Sequence, residues 1–150
     1  IRRPPRSTLD RSSAASDVYK RQGMGGALDS ARFKYRLSEA LNCPASDVQG
    51  LVIGAHSDVG MIPLDRIATY KGVPVRKLLS SDALKTLVNE TKVGGATLTG
   101  LLGTSAWYAP GSSIAYLVDS ILNDKKKTIV LCTHNHKNFR FRRNKFKKTC

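Results

Sequence analysis

The chain has 150 residues, of which 41% are hydrophobic, so it is long enough for one domain that buries about two-thirds of its surface. The chain has three cysteines, an odd number that indicates no disulfide framework. This favours a reducing compartment, which we interpret as the cytoplasm. No apolar run reaches the ~18–20 residues of a membrane helix, and residues 1–20 lack the apolar middle of a secretory signal.

The formal net charge of +14 would ordinarily indicate a nucleic-acid-binding protein, but the charge is concentrated at the two ends. Residues 1–22 carry six Lys/Arg against two Asp, and residues 131–150 carry seven Lys/Arg and no acid. Residues 23–130 carry twelve Lys/Arg against nine Asp/Glu, a net charge of only +3. We therefore expect no specific nucleic-acid binding by the middle of the chain. A small basic nucleic-acid-binding protein that uses both ends is the alternative.

Both ends are expected to lie outside the folded body. Residues 1–22 are basic and rich in Ser and Pro, which fits disorder, and they resemble translated sequencing-adapter read-through; a native basic arm is the alternative. Residues 132–150 mix Lys, Arg and Asn with Phe, as in a frameshifted or disordered tail or a segment that binds single-stranded nucleic acid. Cys132, His134 and His136 match no recurrent zinc spacing, so no metal site is expected.

The first element of the folded body, residues 23–131, is predicted to be a helix over residues 26–42. Asp29 or Ser30 can cap its start, and Pro44 follows its end. Its apolar residues form an imperfect stripe: Leu28, Ala31, Tyr35, Leu37, Ala40 and Leu41.

The segments that follow predict short strands and then two more helices. Residues 48–54 read as a strand, and residues 66–75 as extended segments around Lys71-Gly72. Ser81 is expected to cap a helix whose apolar face includes Leu84, Leu87, Val88 and Thr91 and continues to Leu102, with an interruption at Gly94-Gly95. Another helix is expected over residues 106–123, with Pro110 in its first turn, and a strand begins at residues 128–132. The predicted class is α+β, with long helices packed on a small antiparallel sheet.

Three residues suit proton-coupled chemistry on an anionic substrate. Asp29 and Arg32 lie on the first predicted helix, and His56 lies just past the predicted strand. Histidine titrates nearest neutrality, a carboxylate favours its charged form, and arginine holds a carboxylate through parallel hydrogen bonds. The spacing alone leaves other interpretations open: a helix cap for Asp29, a solvated helix residue for Arg32 and a turn residue for His56.

The middle of the chain resembles the second half of malate dehydrogenases in the lactate/malate dehydrogenase family. Residues 28–33, Leu-Asp-Ser-Ala-Arg-Phe, match the family's Leu-Asp-Ser-x-Arg-Phe element, and residues 54–58, Gly-Ala-His-Ser-Asp, match its catalytic histidine loop. Residues 92–96, Lys-Val-Gly-Gly-Ala, match a segment of its long helix, and residues 105–110, Ser-Ala-Trp-Tyr-Ala-Pro, resemble the malate branch. The four motifs follow the family's order from about residue 23 to residue 131.

The resemblance implies a role for each site residue. His56 would be the general acid/base that takes the hydroxyl proton of malate, and Asp29 would stabilise its protonated state. Arg32 would bind the substrate carboxylate, while Ser105 and Ala106 would line the pocket near substrate and nicotinamide. The family further implies NAD, with NADP not excluded, a dicarboxylate substrate and a homo-oligomer, dimer or tetramer.

The sequence departs from the family pattern in several places. Ser57 replaces the usual glycine, Val59 stands where Ser or Thr is common, and Gly60 adds a residue, although one bacterial branch resembles this loop. Because Val59 lacks a hydroxyl, the loop geometry is in question. No Gly-x-Gly-x-x-Gly fingerprint occurs, so we expect a fragment that lacks the cofactor domain and is inactive alone. A non-catalytic remnant of the fold is a further alternative.

Overall fold

The computed structural model describes the backbone of residues 22–133 and the side chains of residues 23–131. Its α-helices are α1 (Gly25–Ala40), α2 (Ser81–Leu102) and α3 (Tyr108–Leu122). They pack with three small antiparallel sheets, so the predicted α+β class is confirmed, although the strands do not join into one sheet.

The strands are two or three residues long. They are, in chain order, β1 (Gln22–Gly23), β2 (Val48–Gln49), β3 (Val52–Gly54), β4 (Met61–Pro63), β5 (Thr69–Tyr70), β6 (Val73–Pro74) and β7 (Cys132–Thr133). β1 pairs with β7, β3 pairs with β4, and β5 lies between β2 and β6. All pairs are antiparallel, and β3–β4 sets Val52 opposite Pro63 and Gly54 opposite Met61.

The single strand predicted over residues 48–54 is wrong, because β2 ends before Gly50 and β3 begins after Leu51. Helix α1 packs directly on this break. A Cβ added at Gly50 would lie 3.0 Å from Cδ1 of Phe33, so the glycine permits the close approach. At the other end, the strand expected from residue 128 is limited to β7 within the described residues.

The predicted turn between extended segments is confirmed at Lys71 and Gly72. Both residues have positive φ, 46° and 83°, and they connect Tyr70 and Val73, which face each other in the β5–β6 pair. Two central residues with positive φ are typical of the type I′ turn, whose twist matches that of antiparallel strands.

Helix α1 begins at Gly25, after Met24, and no side chain caps it. The predicted cap at Asp29 or Ser30 is therefore wrong, because both residues lie inside the helix and are buried. In a sequence, a buried Asp or Ser inside a helix cannot be distinguished from an N-cap, because either one places Asp or Ser near the first apolar residues of the helix.

The buried face of α1 differs from the predicted stripe. Phe33 and Leu37 are both 0% exposed and belong to the core. Of the predicted stripe, Leu28 and Leu37 are buried and Leu41 is partly buried, while Ala31, Tyr35 and Ala40 are exposed. The core also takes in side chains from the strands and from α2: Val48, Val52, Met61, Ala68, Val75, Leu84 and Leu87.

Helix α2 is capped by Ser80, whose Oγ accepts a hydrogen bond from the Ala83 N–H at 3.2 Å, so the predicted cap at Ser81 is one residue too late. The helix continues through Gly94-Gly95, so these glycines do not break it, and the kink or bulge that they indicate stays a prediction. The helix ends at Leu102, with Gly103 as its C-cap at φ of 68°. The third predicted helix is confirmed as α3, with Pro110 in its first turn.

The second half of α2 and most of α3 expose apolar side chains. Leu101 is 81% exposed, Leu122 is 78% exposed and Trp107, between the helices, is 67% exposed. Apolar surface of this kind is typical of a contact with further protein. None of the helices described for this chain is both long and apolar enough to cross a membrane.

Candidate active site

Asp29 and His56 form a hydrogen bond between α1 and the loop that follows β3. Nδ1 of His56 lies 2.7 Å from Oδ2 of Asp29. The Asp29 side chain is 2% exposed, whereas the His56 side chain is 47% exposed. The carboxylate is therefore shielded from water, while the imidazole ring remains accessible to a ligand.

Glycines shape the surroundings of His56. Gly54 ends β3 with φ of +91°, and a Cβ there would lie 2.1 Å from the carbonyl oxygen of Gly60, so no other residue fits. At the start of α1, a Cβ added to Gly25 would lie 3.0 Å from Cβ of His56 and 3.1 Å from its Cγ. The first residue of α1 thus leaves room for the histidine side chain.

The loop that carries His56 is closed by Ser57. The Ser57 Oγ accepts a hydrogen bond from the Gly60 N–H at 3.0 Å, and the Ser57 carbonyl accepts one from the Met61 N–H at 2.9 Å. Val59 is 95% exposed. Val59 thus lacks the hydroxyl that is common at its position, but the hydroxyl of Ser57 forms a hydrogen bond within the same loop. The sequence did not reveal this role of Ser57.

Arg32 lies against the same carboxylate. Its Nη1 is 3.4 Å from Oδ1 of Asp29, so the two carboxylate oxygens face the guanidinium and the imidazole respectively. A Cβ added at Gly95 would lie 3.1 Å from Arg32 Nη1, whereas one at Gly94 would lie 3.9 Å from Arg32 Cδ. The guanidinium therefore rests against α2 at Gly95.

His56 and Arg32 line a cleft of about 260 Å³ between α1, α2 and the start of α3. The predicted pocket residues Ser105 and Ala106 line it as well, and Asp29 lies behind His56 rather than in the wall. The structure thus brings all the predicted site residues to one place. It adds residues that the sequence did not single out for this site: Ser57, Asp58, Met61, Lys92, Gly95 and Thr99.

A carboxylate-bound imidazole beside a guanidinium can exchange a proton with a bound anion. The Asp29 carboxylate accepts from Nδ1 of His56, which leaves Nε2 as the ring nitrogen that gains and loses a proton. Arg32 can bind a carboxylate through parallel hydrogen bonds. The cleft therefore suits proton transfer with a substrate that carries a carboxylate.

A larger cleft, of about 600 Å³, lies between α1, α3 and residues 128–130. It shares Leu28 and Arg32 with the smaller cleft but contains neither His56 nor Asp29. Lys34 lines it, and burial, together with the nearby charge of Lys127, lowers the pKa of that ammonium group. Its walls carry no pair of groups arranged for proton transfer, so the smaller cleft is the candidate active site.

No group of His, Cys, Asp and Glu side chains that could hold a metal ion occurs among the residues whose side chains the structure describes. The side chains of Cys132, His134 and His136, considered in the sequence, lie outside those residues.

The sequence matches the family model "lactate/malate dehydrogenase, alpha/beta C-terminal domain" over residues 26–140. The malate dehydrogenase of Flavobacterium johnsoniae is 65% identical over 107 residues, which are 71% of this chain and 34% of that protein. The malate dehydrogenase of Bacteroides fragilis is 64% identical over the same number of residues, 107, with the same coverage of 71% and 34%. The chain spans about a third of the length of these curated relatives.

Solved structures share the fold. Cryptosporidium parvum malate dehydrogenase aligns with a TM-score of 0.77 at 32% identity, over 85% of this chain and 42% of that one. The Salinibacter ruber malate dehydrogenase gives 0.75 at 35% identity, over 85% and 41%. A lactate dehydrogenase from Eimeria maxima, solved with NADH and oxamate, gives 0.75 at 34% identity, over 85% and 40%.

Proposed function

Because this chain belongs to the lactate/malate dehydrogenase family and carries its α/β C-terminal domain, we propose that it is the substrate half of a malate dehydrogenase. The reaction would be the interconversion of (S)-malate and oxaloacetate. The observation that carries the proposal is the buried Asp29 carboxylate, 2.7 Å from His56 and 3.4 Å from Arg32, beside an open cleft.

His56 is the group that moves the proton. As the hydride leaves the substrate carbon of malate, Nε2 of His56 takes the hydroxyl proton, and the same proton returns when oxaloacetate is reduced. Asp29 holds Nδ1 and stabilises the imidazolium that forms. Because Asp29 is shielded from water, its charge acts on the ring with little screening.

Arg32 binds the substrate carboxylate next to the reacting carbon, since its guanidinium lies in the cleft wall with His56. Ser105 and Ala106 lie just before α3 and line the same cleft. They would lie near the substrate and the nicotinamide. Arg32 would thus orient the substrate, and the small side chains of Ser105 and Ala106 would form part of the wall around it.

NAD, with NADP as the open alternative, would supply the hydride acceptor in the complete enzyme. The glycine-rich start of α1 does not fit the pyrophosphate of a nucleotide. Although glycines open α1, a Cβ at Gly26 would lie 2.6 Å from Val130 Cγ1, and the space beside Gly25 is filled by His56. A pyrophosphate at this helix start would collide with protein atoms, so we assign nucleotide binding to other parts of the enzyme.

A homo-oligomer, dimer or tetramer, is proposed for the complete enzyme. The apolar side chains exposed along α3 support a covered surface there, because an isolated soluble domain rarely leaves such a surface in water. They include Ile114, Val118, Ile121 and Leu122.

The function is tested by grafting residues 23–130 into the Flavobacterium johnsoniae malate dehydrogenase in place of its matching segment. At 65% identity over 107 residues, the graft preserves most contacts with the rest of that enzyme. We expect the graft to form NADH from malate and NAD. The 150-residue chain alone is expected to form none, because hydride transfer requires a nicotinamide held at contact distance.

Circular dichroism and thermal unfolding show whether the graft is folded. A folded graft that does not oxidise malate would contradict the proposed function. NADH formation by the isolated chain would instead contradict the assignment of the nicotinamide site to other parts of the enzyme.

Gly95→Ala in the graft is expected to weaken substrate use, because the new methyl group would displace the Arg32 guanidinium. A contact of 3.1 Å requires the guanidinium to shift by a few tenths of an ångström, so we expect kcat/KM for oxaloacetate to fall by roughly several-fold, mostly through KM. Gly94→Ala is the matched control, since its Cβ meets Arg32 only at an ordinary distance of 3.9 Å. Both changes raise helix propensity similarly. Equal kinetics of the two variants would contradict the role of Gly95.

A further inference from the structure

Ser30 lies next to Asp29 on α1 and is only 6% exposed. Its hydroxyl donates to the carbonyl oxygen of Gly26 at 2.6 Å, within the helix. Its Oγ also accepts a hydrogen bond from the backbone N–H of Val52 at 3.0 Å. A single oxygen atom therefore joins the backbone of α1 to the first residue of β3.

The Ser30–Val52 hydrogen bond joins α1 to β3, and the Asp29–His56 hydrogen bond joins α1 to the loop that follows β3. Ser30 directly follows Asp29 on α1, and Val52 stands four positions before His56 on the other side. The distance between the two backbones at Ser30 thus limits how far the Asp29 carboxylate can lie from the ring of His56.

The hydroxyl of Ser30 has little freedom to turn away from β3. Its only proton is donated to Gly26, so a lone pair of Oγ is directed at the Val52 N–H. Loss of Oγ would leave the Val52 N–H without this acceptor in a buried place, since Val52 is 1% exposed.

The remaining hydrogen bonds near His56 do not set its distance from α1. Those made by Ser57 are internal to the loop and its junction with β4. Among residues 22–133, the hydrogen bonds that link α1 to β3 and its loop are Ser30–Val52 and Asp29–His56 themselves. The groups that form the Ser30–Val52 bond do not change protonation. This bond can therefore hold Asp29 close to His56 while His56 gains and loses its proton.

We propose that Ser30 is a positioning residue that keeps the Asp29 carboxylate within hydrogen-bond distance of Nδ1 of His56 and so fixes the tautomer of the ring. The inference rests on the proposed function, because it assigns Ser30 to the same proton-transfer site. It adds a residue that does not line the candidate active-site cleft and acts through two backbones.

The test is nitrogen NMR of the full 150-residue chain labelled with ¹⁵N-histidine and ¹⁵N-valine. His56→Asn identifies the ring signals of His56. In the parent chain we expect the tautomer protonated at Nδ1 to dominate when the ring is neutral. In Ser30→Ala we expect loss of that dominance and about tenfold faster hydrogen exchange of the Val52 amide, as for removal of one buried hydrogen bond.

Ser38→Ala is the matched control. Ser38 is also buried on α1, and its hydroxyl donates within the helix to the Tyr35 carbonyl oxygen at 2.7 Å, without a bond to another element. We expect it to leave the His56 signals unchanged. A folded Ser30→Ala chain with the parental tautomer would overturn the proposal, as would an equal change in Ser38→Ala.

If Ser30→Ala lowers the folded population, Ser30→Cys serves instead, because a thiol nearly keeps the volume but hydrogen-bonds more weakly. A parental His56 tautomer in that folded variant likewise overturns the proposal. The grafted enzyme separates the two ideas. An inactive graft with a Ser30-dependent tautomer contradicts only the proposed function, whereas an active graft with a Ser30-independent tautomer contradicts only the positioning role.

Discussion

Replacing His56 with Asn in the grafted enzyme is expected to lower turnover of oxaloacetate by about two to four orders of magnitude, the usual contribution of a positioned general acid/base. Asparagine keeps a polar side chain of similar reach, but its amide does not titrate near neutrality. The buried Asp29 carboxylate would then lack the group whose charged form it stabilises. Steady-state kinetics with NADH measure the loss.

Val59→Ala is the control for this change. Val59 lies in the same loop, is 95% exposed and makes no contact that the mechanism uses, so the variant should turn over oxaloacetate at the parental rate. Near-parental turnover by the His56→Asn graft would mean that His56 is only a turn residue, as the sequence alone allowed.

Asp29→Asn in the graft is expected to reduce turnover by up to about four orders of magnitude, as when the same exchange leaves a catalytic histidine in the wrong tautomer. An amide can present its NH₂ group to Nδ1 of His56, which then accepts and leaves the proton on Nε2. The imidazolium also loses its counter-charge. Steady-state kinetics of oxaloacetate reduction measure the loss.

Asp82→Asn provides the matched control, because it removes an exposed carboxylate that pairs with Lys85 at 3.0 Å on α2. Exposed pairs of this kind contribute at most about 1 kcal/mol, so turnover should stay parental. A folded Asp29→Asn graft with parental turnover would show that Asp29 serves the fold and not the proton transfer.

The parts of the fold that local chemistry determines could be predicted from the sequence. Gly72 indicated the hairpin turn because glycine readily adopts positive φ, and Pro110 marked the start of α3. The break at Gly50 could not be predicted, because it depends on the approach of Phe33 from α1. Ser80 and Ser81 offer the same capping chemistry, and only the backbone decides between them.

The candidate site residues were predicted from their motifs, but their arrangement could not be derived from spacing. A gap of 27 positions between Asp29 and His56 has no geometric meaning until α1 and β3 pack together. For the same reason, Ser30 resembled a helix cap although its hydroxyl joins two elements. Gly95 suggested an interruption of α2, whereas in the structure it makes room for Arg32. These roles depend on tertiary contacts, which a single sequence does not display.

The most direct test of the account is a single-turnover measurement of hydride transfer in the grafted enzyme, mixed rapidly with NADH and saturating oxaloacetate, with and without His56→Asn. If His56 delivers the proton, the hydride-transfer step itself should slow by about two to four orders of magnitude. An unchanged hydride-transfer rate in the His56→Asn graft would contradict the central claim that the Asp29–His56 pair is the catalytic acid/base of this domain.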